Sequence, residues 1–119
     1  MDGIGQRSRL TKYARRYYRN TYLSHQMILS FSCKATEKIY RGYKGPDLPA
    51  DIQKVSLRKL QQLDIARKLD DLRIPPGNRL EPLKGDRKGQ HSIRINDKYR
   101  ICFIWTDNGV ENVEIVDYH

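Results

Sequence analysis

One hundred and nineteen residues, 31% of them charged and summing to a net +9 at pH 7, describe one basic domain with length for a single modest core. No run of eighteen apolar residues and no short apolar core near the N-terminus occur, so the expectation is a soluble cytoplasmic protein with no membrane partner. Cys33 and Cys102 stand sixty-nine residues apart without CxxC or Cys/His spacing, which argues for reduced thiols and against a disulfide framework or a zinc site; no metal or cofactor is predicted.

The excess charge gathers at the start. Residues 1–26 hold six Lys/Arg against one acid, for +5, and residues 27–119 hold seventeen against thirteen, for +4. A basic surface favours a polyanionic partner, because neutralising phosphates releases counterions. Within the leader, Tyr13/Tyr17 and Tyr18/Tyr22 fall at helical spacing. It reads as a basic RNA-binding arm, as an Arg-rich targeting segment, or as sequence upstream of a domain that begins at Met27. The last is preferred, since patterning suited to a core begins at Ile28.

Ile28 to Phe31 predicts a short apolar strand, with Ser32 as the N-cap of a first helix through Tyr43. Gly42 and Gly45-Pro46 end that helix. Pro49 and Asp51 open a second helix, in which Ile52, Val55, Leu60, Leu63, Ala66 and Leu69 form a stripe facing the core. Pro75-Pro76-Gly77 breaks the chain, and beyond it the period turns from helical to alternating.

The last third predicts an antiparallel meander. Asn108-Gly109 favours a two-residue turn, which pairs Ile104 with Val113, Cys102 with Ile115 and Arg100 with Asp117 on one face. For the preceding hairpin a three-residue loop, Asn96 to Lys98, sets Ile93 against Ile101 and Ile95 against Tyr99. Arg94 then lies opposite Arg100. Trp105 and Phe103 read as core, and His91 and His25, without ligand-spaced partners, as surface or hydrogen-bonded residues.

Two opposed arginines are destabilising unless an anion lies beside them. On this register Asp117 supplies one, and alternation puts His119 on the same face. Arg94, Arg100, Asp117 and His119 thus form a polar cluster at one end of an apolar face. It reads either as a structural ion network or as a phosphate site. Arginine's planar fork matches phosphate oxygens, and an imidazole titrating at about 6.5 moves protons near neutrality.

The segments MILSFSCKATEKIY, DLRIPPGNRLEPLKGDRKGQHSIRINDKYRICFIW and VEIVDYH resemble the HigB toxins of bacterial toxin-antitoxin pairs, within the RelE superfamily, and look closest to the GraT-like branch. The resemblance covers residues 27–119 and none of the leader. It implies an α+β fold, two N-terminal helices packed on a small mixed sheet that ends in an antiparallel meander. It implies an endoribonuclease that cuts translated mRNA at the ribosomal A site and so arrests translation and growth. The implied partners are a HigA-like helix-turn-helix antitoxin, the small ribosomal subunit, mRNA, and operator DNA bound through the antitoxin. By motif, Lys84 of LEPLKG, Arg100 of DKYRICF, and Asp117, Tyr118 and His119 of VDYH match active-site positions of that family. Some HigB proteins carry histidine where Glu81 stands here.

The chemistry can be stated for itself. Cleavage of RNA by its own 2′-hydroxyl needs a group to remove that proton, cations on the phosphate oxygens, and a proton for the leaving 5′-oxygen; it asks for no metal. A positioned acid or base supplies ~10² to 10⁴ in rate, and a preorganised donor ~10² to 10³. Arg100 and Lys84 are assigned to the phosphate, His119 to proton transfer, Asp117 to orienting His119 or Arg100, and Glu81 to the base. Tyr118 stays open between core and a stacking platform. Lys84 and Glu81 point to opposite sides of a regular strand, so Lys84 reaches the site only if Gly85 bends the chain. Arg79, Arg87, Lys88, Arg94 and Lys98 are candidates for RNA phosphate contacts. Two other readings stand beside this one: a ParE-like toxin that inhibits gyrase without cutting RNA, and a non-catalytic basic RNA-binding module.

Overall fold

A computed structural model describes residues 27–45 and 48–117. The leader, Tyr118 and His119 lie outside the described residues, and with them the expectations placed there.

Two helices, α1 (Lys34–Tyr40) and α2 (Ala50–Ile65), precede four strands, β1 (Glu81–Pro82), β2 (His91–Arg94), β3 (Tyr99–Thr106) and β4 (Gly109–Asp117). The strands form an antiparallel sheet in chain order. At its β4 edge Ile28 bridges Val110 and Phe31 bridges Val113 in parallel, so the predicted first strand exists as two bridges and the sheet edge is mixed. No described helix is long and apolar enough to cross a membrane.

Ser32 does not cap α1. Its N–H donates to the Val113 carbonyl at 3.0 Å, so the chain is still bound to the sheet there and Cys33 takes the cap position. The helix also stops at Tyr40 rather than Tyr43. Gly42, at φ +93°, turns left-handed; its N–H reaches the Ile39 carbonyl at 3.0 Å and that of Tyr43 reaches Lys38 at 2.8 Å. Those two bonds are a Schellman closure, which satisfies the last carbonyls of the helix.

The α2 stripe is buried at Ile52, Leu60 and Leu63, but the helix ends at Ile65. Ala66 is extended, and the Asp71 carboxylate accepts the N–H groups of Arg67 and Lys68 at 2.9 and 3.2 Å, starting a 3-10 segment Leu69–Arg73. Leu72 of that segment is buried with Ile39, Leu60 and Leu63 against Ile93, Ile101, Phe103, Val110 and Val113. Asp64 ties the layers together: its two oxygens accept from the Tyr40 hydroxyl at 2.7 Å and from the Ile28 N–H at 2.9 Å.

The β2-β3 register is the predicted one, with Ile93 opposite Ile101 and Arg94 opposite Arg100. Asn96 Oδ1 accepts the N–H groups of Lys98 and Tyr99, both at 2.8 Å, which closes the short loop.

The β3-β4 register differs. Asp107-Asn108 form the turn, one residue earlier than expected, and Thr106 pairs with Gly109. The Thr106 hydroxyl donates to the Gly109 carbonyl at 2.7 Å and accepts from the Asn108 and Gly109 N–H groups at 3.1 Å. Gly109 lies against the first bridge, where a Cβ would come within 2.6 Å of the Met27 carbonyl. Asn112, left-handed at φ 55°, then bulges and returns one residue of the shift. Consequently Arg100 opposes Val116, and Asp117 opposes Tyr99.

Candidate active site

Register assigns Glu81, Ser92, Arg94, Arg100, Cys102 and Glu114 to one face of the sheet, and Ile93, Ile101 and Ile115 to the helix-packed face. The predicted Arg94-Arg100-Asp117 grouping is therefore corrected. Asp117, opposite Tyr99, belongs to the other face, and its carboxylate meets Lys98 Nζ at 3.8 Å. The acids beside the arginines are different ones: Arg94 pairs with Asp97, and Arg100 Nη2 stands 3.8 Å from Glu81 Oε1.

Arg100 is only 7% exposed. Its Nε donates to Ser92 Oγ at 2.7 Å, and Nη2 donates to the Arg79 carbonyl at 2.6 Å and the Ser92 carbonyl at 3.4 Å. Arg79 contributes its backbone here, from a left-handed position at φ 47° that closes the 3-10 turn Pro76–Asn78; its side chain is exposed. Beneath it, wholly buried Asn78 accepts from the Lys59 ammonium and donates to the Leu72 carbonyl at 3.0 Å and to Gln62 at 3.2 Å. Burial, with Arg58 and Arg94 nearby, holds the Lys59 amine below lysine's ordinary range.

The loop between β1 and β2 reaches across this same face. Gly85, at φ +62°, bends the chain just after Lys84, which is exposed and precedes a 3-10 turn Gly85–Arg87. Arg87 Nη1 then reaches Gln90 at 3.1 Å and Glu114 on β4 at 3.5 Å. Cys102 is fully covered, and burial pushes its thiol up. Lys88 ends the turn in solvent. His91 sits on the helix-packed face, half-buried, its ring 6.3 Å from Phe103; burial and Arg73 lower its pKa. Among the described residues no group of three His, Cys, Asp or Glu could hold a metal ion.

The structure thus brings Arg100, Glu81, Arg94 and the Lys84–Lys88 loop to one face, and separates Asp117 from them. Sequence reasoning missed Ser92, Asn78 and Lys59. Only Lys59 left a trace, as a cation beside Leu60 on an otherwise apolar stripe. Chemically, a buried guanidinium beside a half-exposed carboxylate, ringed by basic side chains, suits an anionic substrate with an acidic proton near its charge.

The description "RelE-like toxin of type II toxin-antitoxin system HigB" matches residues 29–119. Toxin HigB-1 of Vibrio cholerae is 46% identical over 94 residues, covering 78% of this chain and 98% of its own length. Endoribonuclease HigB of Proteus vulgaris is 32% identical over 94 residues, covering 78% of this chain and all of its own. A YoeB-YefM complex from Staphylococcus aureus superposes with a TM-score of 0.47 at 22% identity, over 81% of this chain and 99% of that one. With the match spanning the whole described sheet and both helices, the chain belongs to the RelE-like HigB toxins of type II toxin-antitoxin systems.

Proposed function

We propose that this toxin is an endoribonuclease that cuts translated mRNA at the ribosomal A site, held in check by a HigA-like helix-turn-helix antitoxin whose complex with it binds operator DNA. The observation that carries the reading is Arg100: buried, fixed by neutral oxygens, and 3.8 Å from half-exposed Glu81 on the sheet face opposite the helix-packed one. A relative named for endoribonuclease activity supports it. Arg100 and Lys84 hold the phosphate, and Glu81 takes the 2′-hydroxyl proton. His119 supplies the proton to the leaving 5′-oxygen, and Tyr118 stacks on a base. Arg79, Arg87, Lys88, Arg94 and Lys98 bind neighbouring phosphates.

The test is a reconstituted translation reaction in which cut ends are mapped with and without ribosomes. Ribosome-dependent cuts, lost in His119→Ala with ribosome association retained, are expected. Intact mRNA under active translation would overturn the reading, and gyrase supercoiling would then separate the ParE-like alternative. Cleavage undiminished in His119→Ala would remove that residue from the mechanism.

The 3.5 Å Arg87-Glu114 pair makes a second prediction. Partly exposed pairs of this kind are worth ~0.2 to 1 kcal/mol, so Glu114→Gln releases Arg87 and tightens binding of a short single-stranded RNA by up to about fivefold. Fluorescence anisotropy at fixed salt reads this directly. Unchanged affinity would take Arg87 off the RNA path.

A further inference from the structure

We propose that Ser92 is a positioning residue: with the Arg79 carbonyl it forms a neutral cradle that aims the Arg100 guanidinium, an inference that rests on the nuclease reading above. Three donor contacts define the cradle. Nε donates to Ser92 Oγ at 2.7 Å, and Nη2 to the carbonyls of Arg79 at 2.6 Å and of Ser92 at 3.4 Å. The two anchors come from separate parts of the fold. Ser92, fully buried on β2, is fixed by pairing with Cys102 and Glu81, while Arg79 is fixed by its left-handed turn above the Asn78-Lys59 bond. Bonds to Nε and Nη2 from two fixed points set the plane of the group.

The chemistry of the anchors matters as much as their number. A carboxylate in the place of Ser92 would orient the guanidinium equally well but would cancel its charge, leaving less for a phosphate. A hydroxyl and two carbonyls orient without neutralising. Among the described residues, the acid that approaches is Glu81, which stands at 3.8 Å and is 46% exposed, outside the close bidentate geometry of a strong pair. Arginine carries substantial rotamer freedom, and a preset plane removes that loss from the reaction step.

The test measures kcat and KM for ribosome-dependent cleavage in Ser92→Ala, Arg100→Lys and the double variant, with unfolding midpoints for each. Lysine's ammonium is a rotatable point charge with no plane for the Ser92 hydroxyl to set. Ser92→Ala is expected to lower kcat about ten- to a hundredfold with KM unchanged, and to lower it no further in the Arg100→Lys background. A residue that only supports the fold would lower both backgrounds alike, and that outcome, or an unchanged kcat in Ser92→Ala, overturns the inference. Should Ser92→Ala fail to fold, Ser92→Thr replaces it. Wild-type kcat there supports the cradle, and a lost kcat with a normal unfolding midpoint overturns it. If Arg100→Lys itself cleaves at the wild-type rate, the nuclease site has been misassigned; if only Ser92→Ala is silent, the site stands and the cradle fails.

Discussion

Arg100→Ala lowers the rate of ribosome-dependent mRNA cleavage by about 10²- to 10³-fold while the protein still associates with ribosomes. The asymmetry follows from where the residue sits. At 7% exposure, Arg100 adds little to the long-range field that a polyanion would meet, so encounter and its salt dependence stay with exposed cations such as Lys84, Lys88 and Lys98. Charge developing on a phosphate in a partly dry site is another matter, since a fixed donor there stabilises the transition state without first having to reorganise. The substitution also leaves the oxygens of Ser92 and Arg79 without this donor, so single-turnover cleavage must be measured well below the variant's own melting temperature. A rate within threefold of wild type would remove Arg100 from the chemistry.

Asn78→Ala destabilises the domain by about 3 kcal/mol, which for a domain of this size lowers the melting temperature by roughly 12–24 °C. Four groups meet at this wholly buried side chain: the Lys59 amine, the Leu72 carbonyl, Gln62, and the Ile74 carbonyl at a marginal 3.5 Å. Removing the amide strands the amine first, because a buried cation without an acceptor is the most expensive of them. Two consequences separate this account from simple loss of volume. Replacing both partners, Lys59→Met with Asn78→Leu, is expected to cost less than Asn78→Leu alone. The pH dependence has a definite sign as well. The folded pKa of Lys59 lies below lysine's ordinary 10.5, so the unfolded chain holds the proton more tightly and stability rises with pH through the window beneath 10.5. The Asn78→Ala penalty therefore shrinks as the amine is neutralised. A penalty constant across that window would assign the effect to packing.

The two hairpins show what could be read in advance and what could not. The β2-β3 register was legible because everything that sets it is local: alternating isoleucines, and an asparagine whose own side chain closes the loop. The β3-β4 register was not, although Asn108-Gly109 is a strong turn signal. Gly109 is needed for the close approach of Met27, and that contact joins residues far apart in sequence. The same holds at α1, where Ser32 has the right chemistry for a cap but its backbone is already bonded to Val113. At the site, Arg100 and Glu81 could be picked out by motif. Ser92 is an unremarkable strand serine until Arg100 folds against it, and Lys59 meets Asn78 nineteen residues away. Groups whose role is to hold another group carry no local signature.

The parallel bridges of Ile28 and Phe31 to β4 also set an order of events. Their partners are made 82 residues later, so a chain emerging from the ribosome carries its first strand long before anything exists to bind it. Closing so wide a loop is entropically slow, and it must wait for Val110, Val113 and Ile115, which complete the core. β4, made after every other described element, is thus the one that locks the sheet. A nascent chain that still lacks β4 has not yet acquired the assembled sheet face that the finished molecule presents.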